Sequence, residues 1–237
     1  MFMSAIARPR TLPDGTYWDG KIGIWPFGKF EPAKRDSVNR KKGTLEWKNQ
    51  SVDTEEYRSM MLNNVIPAIC NKWPAGEFSN PHMKIRVQQD GAPAHFDEKK
   101  DEEWIEYLEA MGLTDKLVLY TQPPNSPDLN CNDLGFFHAI DAVYQRENPK
   151  KHGDIIACVE RAYWAFDPKR LNHIWLTHMS VMNETLKAHG NNDFKIPHMK
   201  KQQLERNGML PKVLDAVEEA RDMLQVAQSD AEGAMVE

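Results

Sequence analysis

Cysteine is scarce in this chain. Three occur in 237 residues (Cys70, Cys131 and Cys158), odd in number, far apart and without a CxxC pair. That usage argues against a disulfide framework and against a zinc site, and it fits a reducing compartment. Long apolar runs are missing too: nothing approaches the roughly 20 residues that span a bilayer, so no membrane partner is expected. The opening "MFMSAIARPR" lacks the basic flank and the length of a signal peptide and reads as a strand. No internal repeat is present. With 41% hydrophobic and 27% charged residues, the composition is that of an ordinary globular protein able to bury a core.

The net charge of -5 conceals an asymmetry. Residues 29–42, "KFEPAKRDSVNRKK", hold six basic side chains against Glu31 and Asp36, whereas residues 215–237 hold seven acids against Arg221 alone. The acidity belongs to the tail and does not exclude a polyanionic partner for the rest.

Pattern and punctuation give the elements. "MFMSAIA" and "KIGIWPFG" read as two strands, with Pro13-Asp14-Gly15 as a turn between them. The basic stretch reads as a loop. Asp53 and Glu56 cap a helix over 54–72 that Pro67 should kink or end early. "PAGEFSNP" reads as a loop and 84–89 as a strand. A helix over 98–111 buries Trp104, Ile105, Leu108 and Met111, and 116–121 is the next strand. Helices follow at 132–146, 153–166 and 168–188. A last helix over 211–227 opens with Pro211 at its first position. An opening hairpin followed by strand, helix, strand and helix predicts a mixed α/β sheet covered by helices.

Within that frame, "VQQDGAPAHFD" places Asp90 where a strand breaks into a turn. Two readings stand: Asp90 caps its own turn, or it is half of a site. If a helix crosses between the strands at 84–89 and 116–121, they are parallel, and their carboxyl ends share one rim of the sheet. Asp128 or Asp133 then comes within reach of Asp90. Two carboxylates converging without a basic partner invite a divalent cation with oxygen ligands.

"QQDGAPAH" followed by "QPPNSPDLNCNDLGFFHAI" resembles the catalytic domain of Tc1/mariner-family transposases, whose usual strings are close to QQDNAxxH and SPDLNxxDLGFF. "WDGKIGIWPF", "PAKRDSVNRKKGTLEW", "YRSMMLNNVIPAICNKWP" and "FKIPHMK" are similar to the plant-type branch, so the resemblance spans residues 1–210. It implies an RNase H-like mixed sheet flanked by helices, with a helical C-terminal extension. It also implies DDE/D chemistry, in which three acids hold two divalent ions for in-line attack on a phosphodiester. Asp90 and Asp133 map to two of those catalytic and metal-holding acids, with Mg²⁺ or Mn²⁺ as the weakly bound cofactor. DNA is the implied partner, a homodimer the implied assembly and the nucleus the implied location. Lys34, Arg35, Arg40, Lys41, Lys42 and His95 are the candidate DNA contacts; His95 could instead orient Asp90 or be a plain turn histidine, and the basic stretch could be a solvated loop.

The family's first acid, in a string like DEKWF on the first strand, has no counterpart, so that strand is expected to be missing. Asp14 and Asp19 lie in a turn expected at the opposite end of the sheet, roughly 15–20 Å away, and cannot replace it. The expected organisation is a truncated catalytic domain over 1–150, its helical part over 151–210 and an acidic helical tail over 211–237. The function implied is a transposase-derived DDE/D endonuclease domain that is inactive in DNA cleavage and strand transfer because the first catalytic acid is absent. The alternative is a non-catalytic DNA-binding or protein-interaction module. Asp128 is expected to cap its loop, Trp18, Trp25, Trp47 and Trp73 to pack, and Phe136, Phe137 and Ile140 to be buried beside Asp133.

Overall fold

The alternating apolar residues of the first segment and of "KIGIWP" pair as antiparallel strands β1 (Phe2–Ile6) and β4 (Lys21–Pro26), with Phe2 opposite Pro26 and Ala5 opposite Gly23. The computed structural model describes residues 1–38, 40–218 and 220. Between Ala5 and Ile6 the register shifts and leaves Ile22 without a partner opposite, a one-residue bulge. The bulge resets the alternation of side chains along β4. Ile22 points into a cluster with Tyr57, Met61 and Ile66, while Ile24 points into another with Phe136, Tyr163 and Leu171. The β1–β4 ladder is therefore buried on both faces. Tyr163, fully buried, donates its hydroxyl hydrogen bond to the Ala5 carbonyl at 2.7 Å beside the bulge.

The connection carries a small hairpin, β2 (Arg10–Thr11) with β3 (Tyr17–Trp18). Its turn closes through Leu12 N–H to Thr16 O and Gly15 N–H to Leu12 O, with Gly15 at φ +85°. A side chain would be strained at that φ, which is why the turn carries glycine.

The basic stretch differs from the loop expected of it. β5 (Gly28–Pro32) pairs antiparallel with β6 (Leu45–Asn49), and of the described residues between them 33–38 and 40–44 are loop. The Phe30 ring meets Trp47 edge-on across the strands, with centroids 5.2 Å apart. Lys29–Glu31 and Lys48–Glu46 ion pairs dress the same hairpin. So polar a strand gives little alternation to read.

Helix α1 covers residues 54–72, with Asp53 accepting from Glu56 N–H at its start. Pro67 does not end it. Pro67 lacks an N–H and crowds the carbonyl four residues back. Residues Met61–Val65 just before it form a wider π turn, in which Ile66 N–H reaches Met61 O, and the helix runs on to Lys72. "PAGEFSNP" contains a one-turn helix, α2 (Ala75–Phe78).

β7 (Ile85–Gln89), α3 (Glu102–Ala110) and β8 (Leu117–Thr121) form the expected strand-helix-strand unit, and β7 and β8 pair in parallel, Ile85 opposite Leu117 through Gln89 opposite Thr121. α3 starts later than expected because Asp101 caps it through Trp104 N–H. Its buried residues are Trp104 and Leu108; Ile105 and Met111 are exposed.

After a 3-10 turn at Pro127–Leu129, helix α4 covers residues 132–147, opening in a π turn at Asn132–Phe136. Phe136 and Ile140 are buried as expected, whereas Phe137 is exposed. α5 (His152–Ala165) and α6 (Pro168–Lys187) complete the second cluster, and α7 (Lys201–Arg206) was not expected.

Residues 211–217 are not helical. Their carbonyls serve other side chains: Arg8 donates to Lys212 O, and Asn183 donates to Asp215 O at 2.9 Å. The rest of the helix expected over 211–227 lies largely outside the described residues.

The class is mixed α/β. Among the described residues the pairing divides into four two-stranded ladders, and β1–β4 and β7–β8 do not hydrogen-bond to one another, although both contribute to the first apolar cluster. No described helix is long and apolar enough to cross a membrane. All three cysteines are free.

Candidate functional site

Two successive glutamines set the rim on which Asp90 stands. Gln89 is buried; its amide donates to Phe96 O at 2.9 Å and Thr121 Oγ1 at 3.0 Å, and its Oε1 accepts from the Tyr57 hydroxyl at 3.0 Å. Gln88 donates to Gln122 Oε1 at 3.0 Å and Leu129 O at 2.7 Å, and accepts from the Tyr120 hydroxyl at 3.0 Å. Together they lock the end of β7 to α1, to the end of β8 and to the loop beyond. Sequence reasoning gave neither glutamine a role. A carboxamide on a strand otherwise headed for the core was the available signal, since buried polar groups must be paired.

Asp90 follows immediately. Its Oδ1 accepts from Ala92 N–H at 3.0 Å, the turn-capping bond of the simpler reading. His95 Nδ1 lies 3.0 Å from the same oxygen and 2.7 Å from the Asp90 carbonyl, and the Tyr57 ring packs on the imidazole with centroids 3.9 Å apart. The structure thus places His95 beside Asp90. Asp90 Oδ2 has no protein donor among the described residues.

Asp133 sits in the first turn of α4. Its Oδ2 accepts from Asn130 Nδ2 at 2.9 Å, while Asn130 Oδ1 accepts from Asn132 N–H at 3.0 Å. Asn132 in turn donates to Ser4 O on β1 at 3.2 Å, and His178 Nε2 lies 3.0 Å from Leu129 O. Burial lowers the pKa of His178, which favours a neutral ring donating to that carbonyl. His178 was another residue missed from sequence; nothing local to its helix marks it.

The charge of Asp90 reaches Asp133. Asp133 is held above the usual carboxylate range, first by partial loss of water around it and second by the negative charge of Asp90. Tyr57 is likewise raised, by burial first and by Asp90 second. Asp133 is thus the candidate second acid on which the charge of Asp90 acts. Asp128 lines a separate hollow with Asn125, Thr185 and Phe194 and makes none of the capping bonds expected of it.

Each carboxylate is anchored through one oxygen and keeps the other free of protein donors among the described residues. That donor set suits a hard divalent cation held by two carboxylates and water. It does not make a complete cage: among the described residues, no group of three or more His, Cys, Asp or Glu side chains is placed to hold a metal. Asp14 accepts from Thr16 N–H, and Asp19 accepts from Lys21 N–H and pairs with Lys21, so both are engaged in the hairpin connection.

Lys34, Arg35, Arg40, Lys41 and Lys42 all stand exposed on the loop of the β5–β6 hairpin. Arg40 is ion-paired with Glu46, and the other four have no ion pair among the described residues. No hydrogen bond or ion pair among the described residues joins this loop to Asp90 or Asp133. The tryptophans pack as expected: Trp18 lies against Trp73 at 5.1 Å with Arg10 over its ring at 4.4 Å, Trp25 borders the first core cluster, and Trp47 meets Phe30.

No family model matches this chain, and no match was found among curated proteins or solved structures.

Proposed function

We propose that this chain is a transposase-derived domain with an RNase H-like arrangement, working in the nucleus on DNA. Its rim site would take Mg²⁺ or Mn²⁺ weakly through Asp90 and Asp133 and would not cleave or join DNA. The observation that carries the reading is the placement of Asp90 just past the end of β7 and of Asp133 in the first turn of α4, where the charge of Asp90 raises the Asp133 carboxyl. The ordered strings "QQDGAPAH" and "SPDLNCNDLGFF" support the same class. Two-metal phosphodiester chemistry needs ligands enough for both ions, and two carboxylates fall short of that.

In this reading the side chains have distinct tasks. His95 and Ala92 N–H hold one oxygen of Asp90, and Asn130 holds one oxygen of Asp133; the two carboxylates would supply oxygen ligands to a cation. A bound cation would offset the repulsion between the two acids and offer its remaining positions to water or phosphate. The exposed cations at 34–35 and 41–42 would neutralise DNA phosphates without reading sequence. A non-catalytic DNA-binding or protein-interaction module is the version of this function that two acids favour, and a homodimer is compatible with it.

The test is a supercoiled-plasmid assay with millimolar Mg²⁺ or Mn²⁺, paired with Mn²⁺ titration followed by electron paramagnetic resonance. Weak Mn²⁺ binding, lost in Asp90→Asn and in Asp133→Asn, is expected without nicking. Nicking that disappears in Asp90→Ala would overturn the inactive reading, and Mn²⁺ binding indifferent to both substitutions would overturn the site.

A further inference from the structure

On the outer edge of β4 lies a groove of about 320 Å³, floored by residues 22–25 and walled by α1 and by Trp164 at the end of α5. Phe27 N–H donates to Met1 O, so the alternation of an antiparallel ladder makes Met3–Trp25 and Ala5–Gly23 the bonded pairs. The N–H and C=O of Ile24 then face outward, where no described strand pairs with β4. Gly23 shapes this edge: a Cβ there would lie 2.3 Å from the Trp25 ring, so its absence lets the indole fold back along the strand.

The opposite wall supplies polar groups. Asn64 and Asn71 both line the groove from α1, and neither carboxamide has a hydrogen-bond partner among the described residues, whereas Asn63 is bonded to Ser59. A carboxamide both donates and accepts, which is what a peptide unit requires. Lys72 is the charged residue lining the groove; its ammonium lies 4.0 Å from the centroid of the Trp164 ring and has no ion pair among the described residues. A nucleic-acid strand calls for several cations along its path, and this groove provides one.

We infer that the groove binds an extended acidic peptide of a partner protein, which adds to the β1–β4 ladder through Ile24, engages Asn64 and Asn71 with its amides and sets a carboxylate on Lys72. Strand addition supplies main-chain hydrogen bonds, and the alternate side chains supply choice of partner. This binding is independent of the Asp90–Asp133 site.

The experiment titrates the full chain with an acetylated, amidated octapeptide of alternating glutamate and valine, followed through the indole N–H resonances of Trp25 and Trp164. Saturable shifts of both are expected. Asn64→Ala with Asn71→Ala should weaken binding about tenfold, with circular dichroism and Tm unchanged because both side chains reach solvent. Lys72→Glu should reverse the preference toward the lysine–valine counterpart. Absence of saturation, binding that survives these changes, or preferential binding of oligothymidylate at the same resonances would overturn the assignment.

Discussion

Asp90, at the end of β7, raises the pKa of Asp133, in the first turn of α4, across forty-two intervening residues. The coupling has a sign that can be measured. Asp90→Asn removes one of the two causes, so the Asp133 carboxyl should titrate at lower pH in the variant, read by carboxyl carbon NMR. An unmoved midpoint would mean that the two side chains do not face each other.

The same shift predicts the pH dependence of stability. Unfolded, Asp133 ionises near the ordinary aspartate value of 3.8; folded, it ionises higher. Between those two pH values the native state holds a proton that the unfolded chain has released, so this group's contribution falls as pH rises through the window. Asp133→Asn should therefore leave stability at neutral pH unchanged or slightly raised in urea melts. A clear loss would show a structural role for the carboxylate that its single bond to Asn130 does not suggest.

Tyr163→Phe keeps the ring in the second core cluster and deletes the hydroxyl that serves the Ala5 carbonyl beside the bulge. The Ala5 carbonyl keeps its ladder partner Gly23, so the loss is that of one hydrogen bond, about 0.5–1.5 kcal/mol. Urea unfolding should show a loss of that order with the m-value unchanged.

Asp101 is buried, caps α3 through Trp104 N–H and accepts two-pronged donation from Arg58 of α1. Asp101→Ala should cost about 2–4 kcal/mol, through loss of the cap and of a largely buried charge partner. Arg58→Ala alone should cost less, because the cap survives. Equal losses in the two variants would contradict this division.

The hairpin loop can be tested apart from the rim. Replacing Lys34, Arg35, Lys41 and Lys42 by Gln, with the ion-paired Arg40 kept, should leave Tm nearly unchanged. It should also reduce the salt dependence of DNA binding, by roughly 0.9 in the log–log slope for each phosphate that the loop no longer neutralises. Fluorescence anisotropy of labelled duplex across a salt series provides the measurement, and an unchanged slope would remove the loop from the interface.

Much of this architecture was legible because it rests on local rules. The Asp53 cap, the strand ending at Asp90 and the parallel relation of β7 to β8 follow from capping, turn chemistry and crossover geometry. What sequence hid depends on interactions made by distant chain. Gln88 and Gln89 acquire their roles only when Tyr57, Thr121 and Leu129 arrive around them. Pro67 reads as a breaker unless one can foresee the π turn that accommodates it, and Phe30–Trp47 builds a strand from residues whose composition signals a loop. Residues 211–217 read as helix for the same reason, since Arg8 and Asn183 claim carbonyls that a helix would have used.

Because main-chain pairing stops between β1–β4 and β7–β8, these strands share apolar packing without sharing a hydrogen-bond ladder. Amide protons in the two halves are then free to exchange through separate opening events with different free energies. The rim carboxylates ride on the β7–β8 half and on α4, so anything that loosens that half would disperse them while the bulged hairpin, pinned by Tyr163, stays protected.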